Sequence, residues 1–316
     1  MNDTELARAL RSLDPASTVV DDRTEQQIAD DLRHIRAAPV ARTTRRWPWI
    51  AAPSVAAAAA VIAIITGVWS PIGGSESFAA TPPLLTLNPT TATLGDVMDR
   101  AVSRLRSGDA AEAARHASFE GWYLQTDVEQ RSSVVSPQEH RVEWNDDLSG
   151  TITITAGNSY PADDTSPGPA PGTILQHEAY LAGQMPILFT TTPPPASGMS
   201  AYLAQAMGGE LPDASAYLAA IRVLQSEWTL SGDQRAALLE GLRGYAGVEV
   251  AGEVTDRLGR AGVALRIHSD ASPHYDYLAI IGDDTGALIA IESIYLGGLQ
   301  ELPVAAPSVT EYIAWK

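Results

Sequence analysis

The sequence predicts an α+β protein in which one transmembrane helix precedes an antiparallel sheet with packed helices. Three observations lead there. Residues 47–69 form an uncharged run of 23 residues, which as a helix spans about 34 Å, enough for a hydrocarbon core. Beyond it, helix-period and strand-period segments come in blocks, the order of an α+β arrangement. The last third reads as short alternating strands joined by turns. The chain divides into a tail (1–46), a span (47–69), a linker (70–92) and an outer α+β domain (93–316). With 45% hydrophobic and 19% charged residues the composition is that of a folded protein.

In the tail, Leu6, Leu10 and Leu13 recur at helical spacing, and Ile28, Leu32 and Ile35 repeat it behind a capping Thr24. Three apolar anchors per helix are too few to fold alone, so these six residues are the expected partner-binding faces. A solvated tail beside the membrane is the plainer alternative.

The span is apolar throughout 55–65 and carries Trp47, Trp49 and Trp69 at its ends, where indole rings prefer the membrane interface. Arg42, Arg45 and Arg46 precede it, and the next basic residue is Arg100. That asymmetry orients the N-terminus to the cytoplasm and the domain to the outside. A buried core helix needs no such flanks. A cleaved secretory signal, with small residues at Ala79 and Ala80, is disfavoured by the 46 residues that come first. The uncharged stretch 179–209 is rejected as a span because it holds Pro193–Pro195 and several glycines.

After the span, 70–89 is rich in Pro, Ser, Gly and Thr and reads as an extended linker. A helix is expected over 94–107, and strands over 122–129, 141–145 and 151–155. Proline-rich breaks fall at 161–172 and 191–198. Asp213 caps a helix with the stripe Tyr217, Leu218, Ile221, Leu224 and Trp228. Ser231 and Gln234 form a capping box ahead of Leu238, Leu242 and Tyr245. Alternating Val248, Val250 and Val254, then Val263, Leu265 and Ile267, then 275–281 and 287–295, make the final meander. Asp283-Asp284-Thr285-Gly286 supplies its last turn.

Charge separates the regions. The tail holds eight Arg and eight Asp/Glu, whereas 70–316 holds 13 Arg/Lys and 30 Asp/Glu, so the whole net charge of −17 lies beyond the span. Such a domain repels phosphate backbones, and direct nucleic-acid binding is excluded as an expectation. The absence of cysteine removes disulfides and thiolate chemistry.

No nucleophile elbow, zinc-protease helix, P-loop or dinucleotide fingerprint occurs. His268 and His274 flank one turn, yet two imidazoles without a third ligand are weak metal ligands. Asp283 and Asp284 serve their turn, and Asp163-Asp164 reads as solvated. Tyr217, Trp228, Tyr245 and Tyr277 read as core rather than ligand-stacking aromatics. No catalytic, cofactor or metal residues are assigned, and no enzyme activity is expected.

The stretch from Gly232-Asp-Gln-Arg to Gly247-Val-Glu-Val, followed by Val254-Thr-Asp-Arg-Leu-Gly-Arg-Ala-Gly-Val263 and the hairpin Ile281-Gly-Asp-Asp-Thr-Gly, resembles a family. It is similar, over about 211–295, to the C-terminal half of actinobacterial single-pass membrane proteins of unknown function. Those proteins share the layout of tail, span and outer domain, and are associated with extracytoplasmic-function sigma factors. The resemblance implies an anti-sigma-like or sensor role, with a cytoplasmic sigma factor or other regulator as partner. Zinc-type anti-sigma domains carry a His-x3-Cys-x2-Cys motif, from which this tail departs: it has His34 and no cysteine.

The expectation is therefore a membrane-anchored, non-enzymatic regulatory or sensor protein. The alternative is an extracytoplasmic ligand- or lipid-binding envelope protein, with the tail as anchor only. That reading calls for a large apolar cavity between the strands of 122–155 and the final meander. An acidic cell-surface enzyme has only unspecific carboxylates in its favour.

Overall fold

A computed structural model describes residues 81–108, 112–124, 135, 137–160, 169–269, 271–299 and 304–316. The predicted span and both tail helices lie outside the described residues. Among the described residues no helix is long and apolar enough to cross a membrane.

The fold is mixed α+β, built on one antiparallel sheet. Helix α1 (Leu94–Ser107) comes first, followed by β1 (His116–Tyr123), β2 (Gln138–Trp144), β3 (Gly150–Ala156) and β4 (Ile174–Tyr180). Three helices intervene: α2 (Met199–Ala206), α3 (Ala214–Glu227) and α4 (Gly232–Arg243). A second meander closes the chain: β5 (Val248–Thr255), β6 (Ala261–His268), β7 (Tyr275–Gly282), β8 (Leu288–Tyr295) and β9 (Ser308–Trp315). The nine strands form one sheet in the order β4-β3-β2-β1-β9-β8-β7-β6-β5. Two consecutive meanders are thus fused where the first strand of one meets the last strand of the other.

Local sequence accounts for the helices. Thr93 and Asp96 cap α1 reciprocally, and Ser231 and Gln234 do the same for α4. Asp213 accepts from the Ala216 amide at 2.8 Å and also from the Ser269 hydroxyl at 2.6 Å, so the cap fastens α3 to the end of β6.

The register sorts the side chains into two faces. Gly121, Ile313, Ile291, Ala279, Leu265 and Val250 form one row across the sheet. That face carries the helices, whose Met98, Leu203, Tyr217, Ile221, Leu224, Leu238 and Leu242 join it in one buried cluster. The other face has its own row, Trp122, Tyr312, Glu292, Leu278 and Arg266. There a smaller cluster of Trp122, Val135, Val309 and Tyr312 is closed by Leu124 and Tyr160.

Gly241 shows how tightly the helix layer is packed. A Cβ at this position in α4 would lie 2.0 Å from the Tyr217 hydroxyl oxygen. Gly241→Ala is expected to lower stability by about 1–3 kcal/mol despite the better helix propensity of alanine. Urea unfolding followed by tryptophan fluorescence checks this, and an unchanged or raised midpoint would refute the tight α3–α4 contact.

Three strands differ from expectation. The first lies at His116–Tyr123 and begins six residues before the expected 122–129, because four successive residues, Phe119 to Trp122, are buried and no sustained alternation marks it. The strand β4 is almost wholly exposed, which also removes the period of two. In β9 six of eight residues are buried, on both faces. Helix α2 is likewise unmarked by periodicity.

Candidate functional site

The partner-binding residues expected in the tail (Leu6, Leu10, Leu13, Ile28, Leu32, Ile35) and the orienting Arg42, Arg45 and Arg46 fall outside the described residues. What is described is the domain and the last part of the linker. There a cluster of buried charge stands out.

It starts from the Thr-Asp-Arg-x-Gly-Arg motif, which forms the turn between β5 and β6. The Asp256 side chain is buried and accepts from the amides of Leu258 and Arg260, at 3.0 and 2.8 Å. It also pairs with the Arg260 guanidinium, at 2.8 Å from Nε. Arg260 in turn donates to the carbonyls of Trp315 and Ile289, at 2.5 and 3.0 Å, and ties the turn to β9 and β8. Gly259 takes φ +80°, where L side chains are strained, and closes the turn. Asp256, Gly259 and Arg260 therefore each have a physical duty in the turn, and Arg257 points elsewhere.

Arg257 lies in the second face of the sheet. Its Nε and Nη2 donate to the two carboxylate oxygens of Glu292 at 2.7 and 3.0 Å, and the side chains are 4% and 0% exposed. The guanidinium sits over the rings of Tyr312, at 5.1 Å, and Tyr160, at 6.0 Å. Tyr312 donates to Glu120 at 2.9 Å. Burial raises the pKa values of Glu292 and Glu120 above the usual carboxylate range. Arg257 for the former and the Tyr312 hydroxyl for the latter pull in the opposite direction.

The same guanidinium reaches the chain that arrives from the N-terminal side. Arg257 Nη2 donates to the Pro83 carbonyl at 2.8 Å. Five residues later Asn88 pairs with Glu253, exchanging two backbone hydrogen bonds of 2.8 Å at the outer edge of β5. Leu85, Leu87 and Ala92 pack on the main core. The described end of the linker, 81–92, is thus built into the sheet edge and fastened to the buried pair. A Cβ on Gly252, at φ +146°, would lie 2.4 Å from the Asn88 carbonyl oxygen. Gly252→Val is expected to detach residue 88 while leaving β6–β8 folded. Hydrogen exchange at the Asn88 and Glu253 amides checks this, and retained protection at both would overturn it.

A second, half-buried pair lies on the helix face of β9. Arg222 of α3 donates to Glu311 at 3.0 Å and lies over the Tyr123 ring at 5.7 Å. Adjacent residues of β9, Glu311 and Tyr312, thus carry polar clusters on opposite faces.

A third polar point holds the loop after β4. Glu227, the last residue of α3, accepts from the amides of Leu188 and Phe189, each at 2.8 Å. Trp144 donates to the Glu227 carbonyl at 2.9 Å, Trp228 to the Phe189 carbonyl at 2.8 Å, and Gln234 to Pro193 and Pro194. Arg115 lies over both indoles, at 5.2 and 4.8 Å. Burial pushes the Glu227 carboxyl up to about 7 against the two amide hydrogen bonds.

The residues weighed from sequence take structural places. His268 Nδ1 meets Asp276 at 3.1 Å, while His274 Nδ1 meets the Gly297 carbonyl at 2.8 Å, so the two imidazoles serve separate partners. Among the described residues no group of three metal-ligating side chains converges. Asp283 and Asp284 form their turn, and Arg104 of α1 donates to the Asp283 carbonyl. Tyr217 and Trp228 are buried in the core, and Tyr217 packs on Tyr245 at 5.1 Å.

Sequence reasoning passes over Arg257, Glu292, Glu120 and Glu227. The usable signal is a lone carboxylate inside an apolar strand, as in Leu288-Ile-Ala-Ile-Glu292. A charge there is stable only if it is paired.

No protein-family model and no curated protein matches the chain. Among solved structures, the crystal structure of MucB in complex with MucA(peri) aligns at TM-score 0.26 and 13% identity, over 70% of this chain and 53% of that one. The Pseudomonas aeruginosa MucA/MucB complex aligns at 0.27 and 14%, over 70% and 55%. The chain spans about half the length of the chains it matches. A likeness at this level assigns neither fold nor function.

Proposed function

We propose that this chain is a membrane-anchored, non-enzymatic regulatory protein. In this reading residues 47–69 cross the membrane, the acidic α+β domain faces the envelope and senses a ligand or partner, and the tail binds a cytoplasmic regulator of the sigma-factor class. Leu6, Leu10, Leu13, Ile28, Leu32 and Ile35 supply the tail's apolar faces. The observation that carries the reading is the fastening of the linker. The segment leading from the uncharged run is hydrogen-bonded to β5 and to the buried Arg257, whose partner Glu292 lies in the middle of the sheet. A disturbance of that face therefore reaches the chain that leads toward the tail, which a passive tether would not require.

The carrier alternative gains no support from the packing. The helix face is filled by Trp228, Tyr217, Phe189, Met98 and Met199, all nearly inaccessible. The depression between α1 and the β6–β7 end is lined by Asp96, Asp99, Arg100, Arg104, Glu253 and Asp283, a polar setting for an apolar ligand.

The test is recovery of the full-length protein from membranes with whatever binds it. A cytoplasmic regulator is expected to co-purify with the intact chain and to be lost when residues 2–38 are deleted. Absence of any such partner across growth and stress conditions would refute the regulatory reading. Cleavage of the domain by protease added to cells with an opened envelope, with the tail protected, is expected from the orientation.

A further inference from the structure

The sheet has two ends, and they are treated differently. At the β5 end, Asn88 covers part of the edge. At the β4 end six of seven residues are exposed. Ile174 and Leu175 are 66% and 42% exposed, and the loop that follows adds Leu181 at 71% and Leu188 at 42%. Three of the six large exposed apolar residues in the described structure, Ile174, Leu175 and Leu181, therefore lie on this edge strand or directly after it. Neither proline nor lysine, the usual guards of an open strand, occurs in β4, and its one irregularity is a bulge at Leu175. Charge is also sparse here: β4 holds one carboxylate, Glu178, and the stretch 179–209 that follows carries none in a chain of net charge −17, so two such molecules approach here with little repulsion.

We propose that β4 pairs antiparallel with β4 of a second copy, about a two-fold axis through His177, joining two sheets into one. The central stretch Leu175-Gln-His-Glu-Ala179 is self-complementary in this register. Each Glu178 faces a Gln176, whose amide donates to the carboxylate, and each Leu175 faces an Ala179. The pairing ends at the bulge, beyond which Ile174 turns to the face of Thr155 while Tyr180 keeps that of Gly150. A register centred on Glu178 sets two carboxylates face to face, and one centred on Gln176 sets Glu178 against Ile174. Charge matching therefore selects the His177 register. The His177 ring is drawn toward Thr153 of β3, with Nδ1 at 3.0 Å from the hydroxyl, which leaves the axis clear for the backbone. The pairing is isologous, as a closed dimer requires.

The test uses the full-length protein in detergent, read by sedimentation. A dimer is expected. Gln176→Glu places four carboxylates around the axis and is expected to weaken dimerisation roughly tenfold, whereas Gln176→Lys opposes each Glu178 with a cation and strengthens it by a similar factor. Gln176 is exposed, so neither change disturbs the monomer. The chain has no cysteine, so a single one reports position without background. His177→Cys is expected to form an intermolecular disulfide under mild oxidation, because facing residues bring their Cβ atoms to about 5 Å. Glu249→Cys on the opposite edge is expected to form none. A monomeric wild type overturns the proposal. So does a dimer indifferent to both Gln176 variants and uncrosslinked at 177, which would place the contact on another surface, the transmembrane run included.

Discussion

Arg257→Met is expected to destabilise the domain by about 3–5 kcal/mol, more than Gly241→Ala or Glu227→Gln. The variant leaves Glu292 with no exposure to solvent and without its ion-pair partner, and it also removes the hydrogen bond to Pro83. A buried carboxylate without a partner is neutralised before it is tolerated. The pH dependence of the deficit follows from that. Burial already raises the pKa of Glu292, with Arg257 pulling it back, so removing Arg257 raises it further. A raised folded-state value means that the folded variant holds its proton more tightly than the unfolded chain. Its stability is then greatest below the unfolded carboxylate range and falls as pH rises through the folded value. The deficit relative to wild type should accordingly shrink on acidification. Replacing both partners, Arg257→Met with Glu292→Met, is expected to recover most of the loss, because the charges leave together. Urea midpoints by tryptophan fluorescence at pH 5 and 8 measure all three proteins. A single-variant loss below about 1 kcal/mol, or a double variant no better than the single, would show that the pair does not fasten the sheet to the linker.

The double variant also separates stability from coupling. If the ion pair only holds the fold, restoring stability restores everything. If it links the sheet to the linker, the double variant folds but releases Pro83, because neither methionine donates to a carbonyl. Exchange protection at Asn88 then drops while the core amides stay protected.

How far the fold is legible depends on whether a segment has one face in water. Helix α1 shows a capping box and a stripe of Val97, Met98, Ala101 and Leu105, and its expected limits are the observed ones. Asp213, Ser231 and Gln234 announce the starts of α3 and α4. β6 is found from its alternating Val263, Leu265 and Ile267, and β8 from the strand-like run that follows the Asp283–Gly286 turn. By contrast β9 hides its period, since Tyr312, Ile313, Ala314 and Trp315 are all buried on alternate faces. β4 hides its own for the opposite reason. The joining of the two meanders through β1 and β9 rests on strands that are about 190 residues apart, as in the Glu120–Tyr312 hydrogen bond, and no local pattern records it. The Thr-Asp-Arg motif is visible as a string, but the duty of Arg257 is not, because Glu292 lies 35 residues on.

Glu227 gives the second large effect, and here the sign is opposite to ordinary acid unfolding. Its carboxyl is 8% exposed, closes the C-terminus of α3 and is pushed up to about 7 from an unfolded value of 4.5, chiefly by burial. The two amide hydrogen bonds from Leu188 and Phe189 act against that shift without cancelling it. The negative end of the helix dipole adds to the penalty on the anion. Between pH 4.5 and 7 the folded state therefore binds the proton that the unfolded state releases. Linkage then makes this group's contribution full below pH 4.5 and progressively lost as pH rises through about 7, a change on the order of 3 kcal/mol. Glu227→Gln removes the titration. Its amide oxygen accepts from one backbone N–H and its NH2 group opposes the other, which costs about 1–3 kcal/mol of satisfied hydrogen bonding. Wild type and variant should therefore differ most at acidic pH and converge above neutrality. Other carboxylates raised by burial, the buried Glu120 and Glu292 and the half-buried Glu311, titrate in both proteins and drop out of the difference. Parallel stability curves from pH 4.5 to 8 would sink the assignment. Curves that converge identify Glu227 as the group through which acidity tightens the loop that follows β4.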